Sequence, residues 1–264
     1  MKILCLHGKG TSGAIFKSQT AALRARLTDL PIEWDFLDGF HPSDPAAGID
    51  LFYAPPYYAW YRDDTPTEIE TCRQHLHDHI STHGPYAAVM SFSQGAAVAC
   101  AYALLHLAQH PPAPLPFHAA IFICAGAPLA IMQQVGYEIA PQVWEQDRVS
   151  RQALAAQADA AAILLKGSQR WSAGVGVAVE EEEQAIRKAI VPPAQKVKIG
   201  VPTVHVYGNR DPRFAAGIQL SQACEEGSRK MFDHGGGHEI PRTERVTSGI
   251  AGLVRWALKE GGVV

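Results

Sequence analysis

Short apolar runs alternate with longer stretches of helical periodicity along almost the whole of this chain. Five runs, Met1–Leu6, Ile32–Leu37, Tyr86–Met90, Ala119–Cys124 and Val201–Gly208, are rich in aliphatic and β-branched residues, and a more polar sixth follows at Ser228–Asp233. Runs that lack regular polar alternates are what strands covered on both faces of a parallel sheet look like. Between them the spacing predicts helices from near Ala14 to Leu27, over Thr67–Thr82, through the alanine-rich Ala96–Leu105, and over Thr243–Lys259. The last of these puts Val246, Ile250, Leu253, Val254 and Leu258 on one face. Strands alternating with helices predict an α/β fold, a mostly parallel sheet with helices on both faces.

Two regions exceed that minimal plan. One is the loop Phe52–Arg62, with six aromatics and two prolines, whose Tyr57, Tyr58 and Trp60 are candidates to wall a substrate site. The other, at about 126–198, is an alanine-rich helical insertion that carries Trp144, Trp171 and the acidic run Glu180–Glu183. Its position between late strands suits a lid, with Trp144 and Trp171 as further substrate contacts and Gly167–Gly176 as a mobile loop. The glutamate run reads as a solvated helix start. With 264 residues, 47% hydrophobic and 19% charged, the chain is expected to form one domain over 1–264 that includes this insertion.

Charge narrows the partners. The formal net charge is -3 and no basic tract is present, which argues against nucleic acid and anionic membranes. Met1-Lys2 leads straight into a strand, and no apolar run reaches the length of a membrane span. The five cysteines are scattered, with no C-x-x-C, and are expected to be reduced and buried in a cytoplasmic protein.

The chemistry starts at Ser91-Phe92-Ser93-Gln94-Gly95, between an apolar strand and an alanine-rich helix. A serine on a sharp strand-to-helix turn, with small residues two before and two after, is the pattern of a nucleophile elbow. Ser91 stands where the usual pattern has glycine. Taken alone, the motif is equally a Ser/Gly turn that starts a buried helix, so its partners decide. Asp211 lies just past the strand Val201–Gly208 and is the candidate acid. His238, after the glycines of His234-Gly235-Gly236-Gly237 and just before the last helix, is the candidate base, with His234 as its competitor. Serine, acid and histidine then follow in the order that an α/β-hydrolase uses. The turn His7-Gly8-Lys9-Gly10 after the first strand supplies an amide, that of Lys9 or else Gly10, to pair with the amide of Gln94 as an oxyanion hole. That turn fits neither spacing of a nucleotide-binding glycine loop. His75 and His79 are one helical turn apart, but without H-E-x-x-H they read as a solvated helix face and not as metal ligands.

Five stretches carry a resemblance to a known family: Ile3–Gly8, Phe36–Gly39, Ser91–Ala96, Gly208–Asp211 and Gly237-His238. Over essentially its whole length the chain resembles the fungal FSH family of serine hydrolases. The resemblance implies an α/β-hydrolase fold and a triad of Ser93, Asp211 and His238, with no metal or organic cofactor. Members include carboxylesterases, and thioesterases that free a polyketide from an acyl carrier protein. A small-molecule acyl ester or thioester is therefore the expected substrate, with a carrier protein as partner and secondary metabolism as the setting. The alternatives are a general carboxylesterase, acyl transfer or cyclisation in the same site, and a binding protein that keeps the fold without the chemistry.

Overall fold

A computed structural model describes residues 1–111, 113–156, 180–193 and 197–264. Its centre is a six-stranded sheet, and each strand is one of the six predicted runs. In chain order these strands are β1 (Lys2–Leu6), β2 (Glu33–Leu37), β5 (Ala88–Phe92), β6 (Ala119–Ile123), β9 (Thr203–Tyr207) and β10 (Arg229–Asp233). The spatial order is β10-β9-β6-β5-β1-β2, and every pairing is parallel. The chain starts one strand in from an edge, winds outward to the edge strand β2, then crosses back past β1 to the other edge. The carboxyl ends of β1 and β5, at this reversal, are where such sheets hold ligands.

The period of two along the strands divides the core into two layers. Leu4, Leu6, Val89 and Phe122 face one layer, where they pack with α3 (Pro66–His83) and α4 (Gln94–Gln109). Ile3, Cys5, Met90, Ile121, Val204 and Val206 face the other, where they meet Phe16 of α1 (Gly13–Gln19), Leu23 of α2 (Ala21–Arg24) and the apolar stripe of α9 (Glu244–Glu260). In α9 the buried stripe holds Val246, Ile250, Val254 and Leu258 as the spacing predicted; Leu253 is only partly buried. Helix α4 is buried from Gly95 to Leu105, which its small alanines allow by letting it lie close on the sheet.

The aromatic loop is more ordered than a loop reading implies. It contains β4 (Tyr58–Ala59), which pairs antiparallel with β3 (His41–Pro42). The insertion begins with α5 (Leu129–Gln134) and α6 (Pro141–Ala156) and returns as α7 (Glu180–Lys188). Its base is closed by β7 (Glu138–Ile139) against β8 (Ile190–Val191). Trp171 and the Gly167–Gly176 stretch lie outside the described residues. The acidic run is not simply solvated, because Glu183 accepts from Tyr207 Oη at 2.6 Å and from Arg187 at 3.1 Å. A further helix, α8 (Phe214–Leu220), follows the loop after β9. Among the described residues no helix is long and apolar enough to cross a membrane.

Candidate active site

Ser93 occupies the turn between β5 and α4 with φ 52° and ψ -114°. A serine held there carries about 1–3 kcal/mol of backbone strain, sustained only where neighbours fix it. Its amide donates to the Ile123 carbonyl at 3.0 Å, which ties the turn to β6. At Gly95 a Cβ would lie 2.5 Å from the Leu6 carbonyl oxygen and 2.6 Å from that of His7. Only glycine lets the elbow helix sit this close to the end of β1. Ser91 is fully buried and its hydroxyl donates to the Ile121 carbonyl at 3.2 Å. A hydroxymethyl group therefore fits where the usual pattern has none.

Asp211 and His238 converge on this serine from the loops after β9 and β10. The Asp211 side chain is almost wholly enclosed, with 1% exposure. Its Oδ1 accepts the Arg213 amide at 2.7 Å, and its Oδ2 accepts His238 Nδ1–H at 2.7 Å. A carboxylate only accepts, so the proton sits on Nδ1. This leaves the Nε2 lone pair for Ser93 Oγ, 2.8 Å away. The three side chains are thus joined Asp211–His238–Ser93, with the His238 ring packed against Phe92 at 5.3 Å.

His234 does not compete. Its Nδ1 accepts the Gly236 amide at 3.2 Å and its Nε2 lies 3.6 Å from Cys124 Sγ. Burial pushes its imidazole down to about 4. Its role is to hold the loop that carries His238. That loop is also stapled to the acid loop. Asp233 Oδ1 accepts amides from both Asn209 (3.1 Å) and Gly235 (2.7 Å), and the Arg210 amide donates to Gly236 at 3.1 Å. The approach is close enough that a Cβ at Gly208 would meet the Gly236 carbonyl oxygen at 2.2 Å.

Cys124, Asp211 and His238 are the described residues whose donor atoms gather closely enough to hold a metal, all within 4.8 Å. The grouping is better explained by the hydrogen bonds already present. Asp211 and His238 are engaged with each other, and burial holds the Cys124 thiol well above its usual range. That thiol donates to the Glu239 carbonyl at 3.4 Å. His79 joins Asp35 and Tyr86 in a hydrogen-bonded cluster, and His75 packs on Phe40.

The turn after β1 is pinned from within. His7 is buried, and its Nε2 accepts the Gly39 amide at 2.8 Å, so its Nδ1–H donates to the Gly8 carbonyl at 2.7 Å. Burial lowers its basicity and keeps it neutral. The Gly10 amide is taken by the Tyr58 carbonyl at 2.8 Å. Of the two amides considered for an oxyanion donor, Lys9 is thus the one left, since no described partner takes it. Of the aromatics, Trp60 is completely buried and packs at a tilt against His7, with ring centroids 5.1 Å apart. It lies behind the turn and presents no surface to a substrate. Tyr57 and Tyr58 are half-buried, Tyr57 giving its hydroxyl to the Tyr53 carbonyl at 2.6 Å, and Trp144 on α6 is partly exposed.

A family model described as serine hydrolase (FSH1) matches residues 1–250. The chain belongs to this serine hydrolase family. It is similar to Esterase FPY3 of Fusarium mangiferae, 31% identical over 244 residues that cover 92% of this chain and 89% of that protein. It is also similar to Hydrolase FUB4 of Fusarium oxysporum f. sp. lycopersici, at 26% identity with 92% of each chain covered, and to Esterase alnB of Emericella nidulans, at 25% with 98% and 96% covered. The fold is shared with SOBER1 of Arabidopsis thaliana, with a TM-score of 0.51 at 16% identity over 98% of this chain and 99% of that one. It is shared as well with a carboxylesterase from Mesorhizobium loti, with a TM-score of 0.52 at 12% identity over 96% and 88%. This member of the serine hydrolase family therefore has the α/β-hydrolase fold.

Several residues that build this site carry no signal in the linear pattern. Arg213, Asp233, Cys124 and the side chain of Gln94 all act through partners distant in sequence. Arg213 stands two residues after Asp211, but its contacts with Asp147 and Ser150 on α6 have no local marker.

Proposed function

We propose that Ser93, His238 and Asp211 are the catalytic triad of this hydrolase, and that it frees an acyl chain from a thioester, with a polyketide on a carrier protein as the substrate. The observation that carries the reading is the unbroken relay of 2.7 and 2.8 Å that ends on a serine with positive φ. His238 takes the Oγ proton as Ser93 attacks the acyl carbonyl carbon. The amides of Lys9 and Gln94 receive the charge that develops on the carbonyl oxygen. Collapse of the tetrahedral species expels a thiolate or alkoxide, which takes the proton from His238 and leaves an acyl-serine. A water gives its proton to His238, attacks the acyl-serine, and a second collapse returns Ser93 and releases the acid. Asp211 keeps the imidazole in the right tautomer throughout and stabilises its cationic form. The chain is read as one working unit over 1–264, in which the insertion at about 126–198 covers the site.

Relatives named as esterases favour a second reading, a carboxylesterase for small or medium acyl esters. Incubating wild type and Ser93→Ala with acyl-N-acetylcysteamine thioesters and the matching oxygen esters separates the two, read by intact mass and free acid. The expected result is an adduct or acid from thioesters that vanishes in Ser93→Ala. Faster cleavage of oxygen esters moves the assignment to carboxylesterase, and an acyl product other than the acid moves it to transfer or cyclisation. A folded wild type that reacts with neither overturns the catalytic reading in favour of a binding protein.

A further inference from the structure

The two turns that flank Ser93 are bound to each other by a third segment, residues 58–61. The Gly10 amide donates to the Tyr58 carbonyl at 2.8 Å, and the Tyr58 amide donates to the Thr11 carbonyl at 2.7 Å. The Trp60 indole N–H donates to the His7 carbonyl at 2.7 Å. On the elbow side, Gln94 Oε1 accepts the Trp60 amide at 3.0 Å and its Nε2 donates to the Tyr61 carbonyl at 2.9 Å. Both ends of the Gln94 carboxamide are thus bonded to the backbone of one short strap. That strap grips the turn after β1 at three points, and β3 anchors it from behind.

We infer that the Gln94 side chain and the Trp60 indole are positioning residues that set the spacing between the Lys9 and Gln94 amides. This rests on the triad reading above. The physical need is specific. The elbow amide is rigid because it opens a buried helix, whereas Lys9 is itself exposed and is held only through its buried neighbours Gly8 and Gly10, the second of which is bonded to the strap. An oxyanion donor works only when it is held near the place where charge develops, and about 1 Å of misplacement costs on the order of 100-fold. Gln94 brings both a backbone amide to the hole and a side chain to the strap. Trp60, wholly buried, completes the link from strap to turn.

The test uses Gln94→Met, which keeps the length of the side chain and removes its hydrogen bonds, and Trp60→Phe, which removes the indole donor and keeps a ring. Each is normalised to the fraction of sites labelled at completion by a fluorophosphonate. Per labelled site, kcat is expected to fall roughly 10- to 100-fold in each variant, less than the roughly 100- to 1,000-fold for deleting a donor outright. KM is expected to hold, while affinity for an acyl boronic acid, which becomes tetrahedral on Ser93, falls in step with kcat/KM. The double variant is expected to lose less than the product of the single losses, because both act through one spacing. A merely structural role lowers the labelled fraction and the melting temperature and leaves kcat per site unchanged. That result overturns the inference, as does a fall in kcat without a matching loss of boronate affinity. Failure of the triad reading looks different: Ser93→Ala then keeps the activity of wild type.

Discussion

The two halves of this site are built by opposite means. The nucleophile half, at the ends of β1 and β5, is neutral. It consists of glycine contacts, backbone amides and carbonyls, and the uncharged Gln94, Trp60 and His7, on adjacent strands of the sheet. The acid–base half, at the ends of β9 and β10, is held by charge. Asp233 staples two loops, and Arg213 runs from the acid loop into an ion cluster on the insertion. Its guanidinium meets Asp147 at 2.8 Å and Ser150 Oγ at 3.2 Å, and Arg151 joins Asp147 (2.7 Å) to Asp64 (2.5 Å) beside the strap. The lesson is one of chemistry and not of distance along the chain. Trp60 meets Gln94 and His7 across gaps of 34 and 53 residues with neutral hydrogen bonds, whereas Asn209 and Asp233, 24 residues apart, are tied by a carboxylate.

The contrast is broken most severely at its joint. Asp211→Asn keeps the size of the side chain but presents an amide to His238, which favours the wrong tautomer. The expected loss is about 10⁴-fold in kcat, with the fold retained. The check is a single-turnover rate on the normalised enzyme beside its thermal melt. A loss confined to tenfold would mean that Asp211 is not the group orienting the imidazole.

Second in size is the ionic tie. Burial holds Arg213 below the usual arginine range and raises Asp64, so the cluster exists at a desolvation cost. Arg213→Ala leaves Asp147 with Arg151 as its remaining partner, and about 1–3 kcal/mol of stability is expected to go, which lowers the melting temperature by on the order of 5 °C. Arg213→Met with Asp147→Leu removes both charges and is expected to recover most of it. Neutral truncations on the other half, such as Gln94→Met, should cost less stability, and calorimetry of the three variants compares the halves directly.

This division also explains what the sequence makes legible. Every strand of the sheet and the order Ser93, Asp211, His238 can be read from it, because strand burial and turn chemistry are local and leave periodic or glycine-marked traces. The elbow's small residues are visible for the same reason. The sequence points to Trp60 as a substrate wall, since an exposed and a buried indole look alike in one dimension, and only its bond to the His7 carbonyl shows that it serves the turn from behind. Arg213, Asp147, Arg151 and Asp64 are ordinary surface-type charges in sequence, and only the packing of α6 against the acid loop turns them into a cluster. Trp171 lies outside the described residues.

Third in size is the response to acid, which separates the halves by their histidines. Burial holds His205 down to about 3 and His234 to about 4, and lowers His7 as well. Each is neutral in the fold and near 6.5 when unfolded, so the unfolded chain binds more protons between those values. Stability is therefore full above about pH 6.5 and declines as pH falls toward 4, with a slope of roughly two to three protons near pH 5. The raised Asp64 and Asp233 act in the opposite sense, since they favour the folded state as they take up protons. Urea titrations at pH 7, 6 and 5 measure the slope. A His205→Asn variant should flatten it by about one proton, and an unchanged slope would show that His205 titrates normally.

The smallest effect concerns Cys124, the residue where a second nucleophile would have to be sought. It follows β6 directly, at φ 44°, in contact with the loop that carries His238. Its burial and its raised thiol argue that it exists as SH, donating to the Glu239 carbonyl. The thiolate, not the thiol, attacks iodoacetamide and displaces its iodide, so the folded enzyme should keep all but about a tenth of its activity after that reagent at neutral pH. Cys124→Ser keeps a small hydrogen-bond donor and should lower kcat by less than about threefold. Peptide mapping after alkylation decides the matter. Labelled Cys124 with matching loss of activity would mean that the acid–base half opens in solution and that its ionic ties are weaker than the geometry implies. Unlabelled Cys124 with full activity leaves Ser93 as the nucleophile and the charged half closed around it.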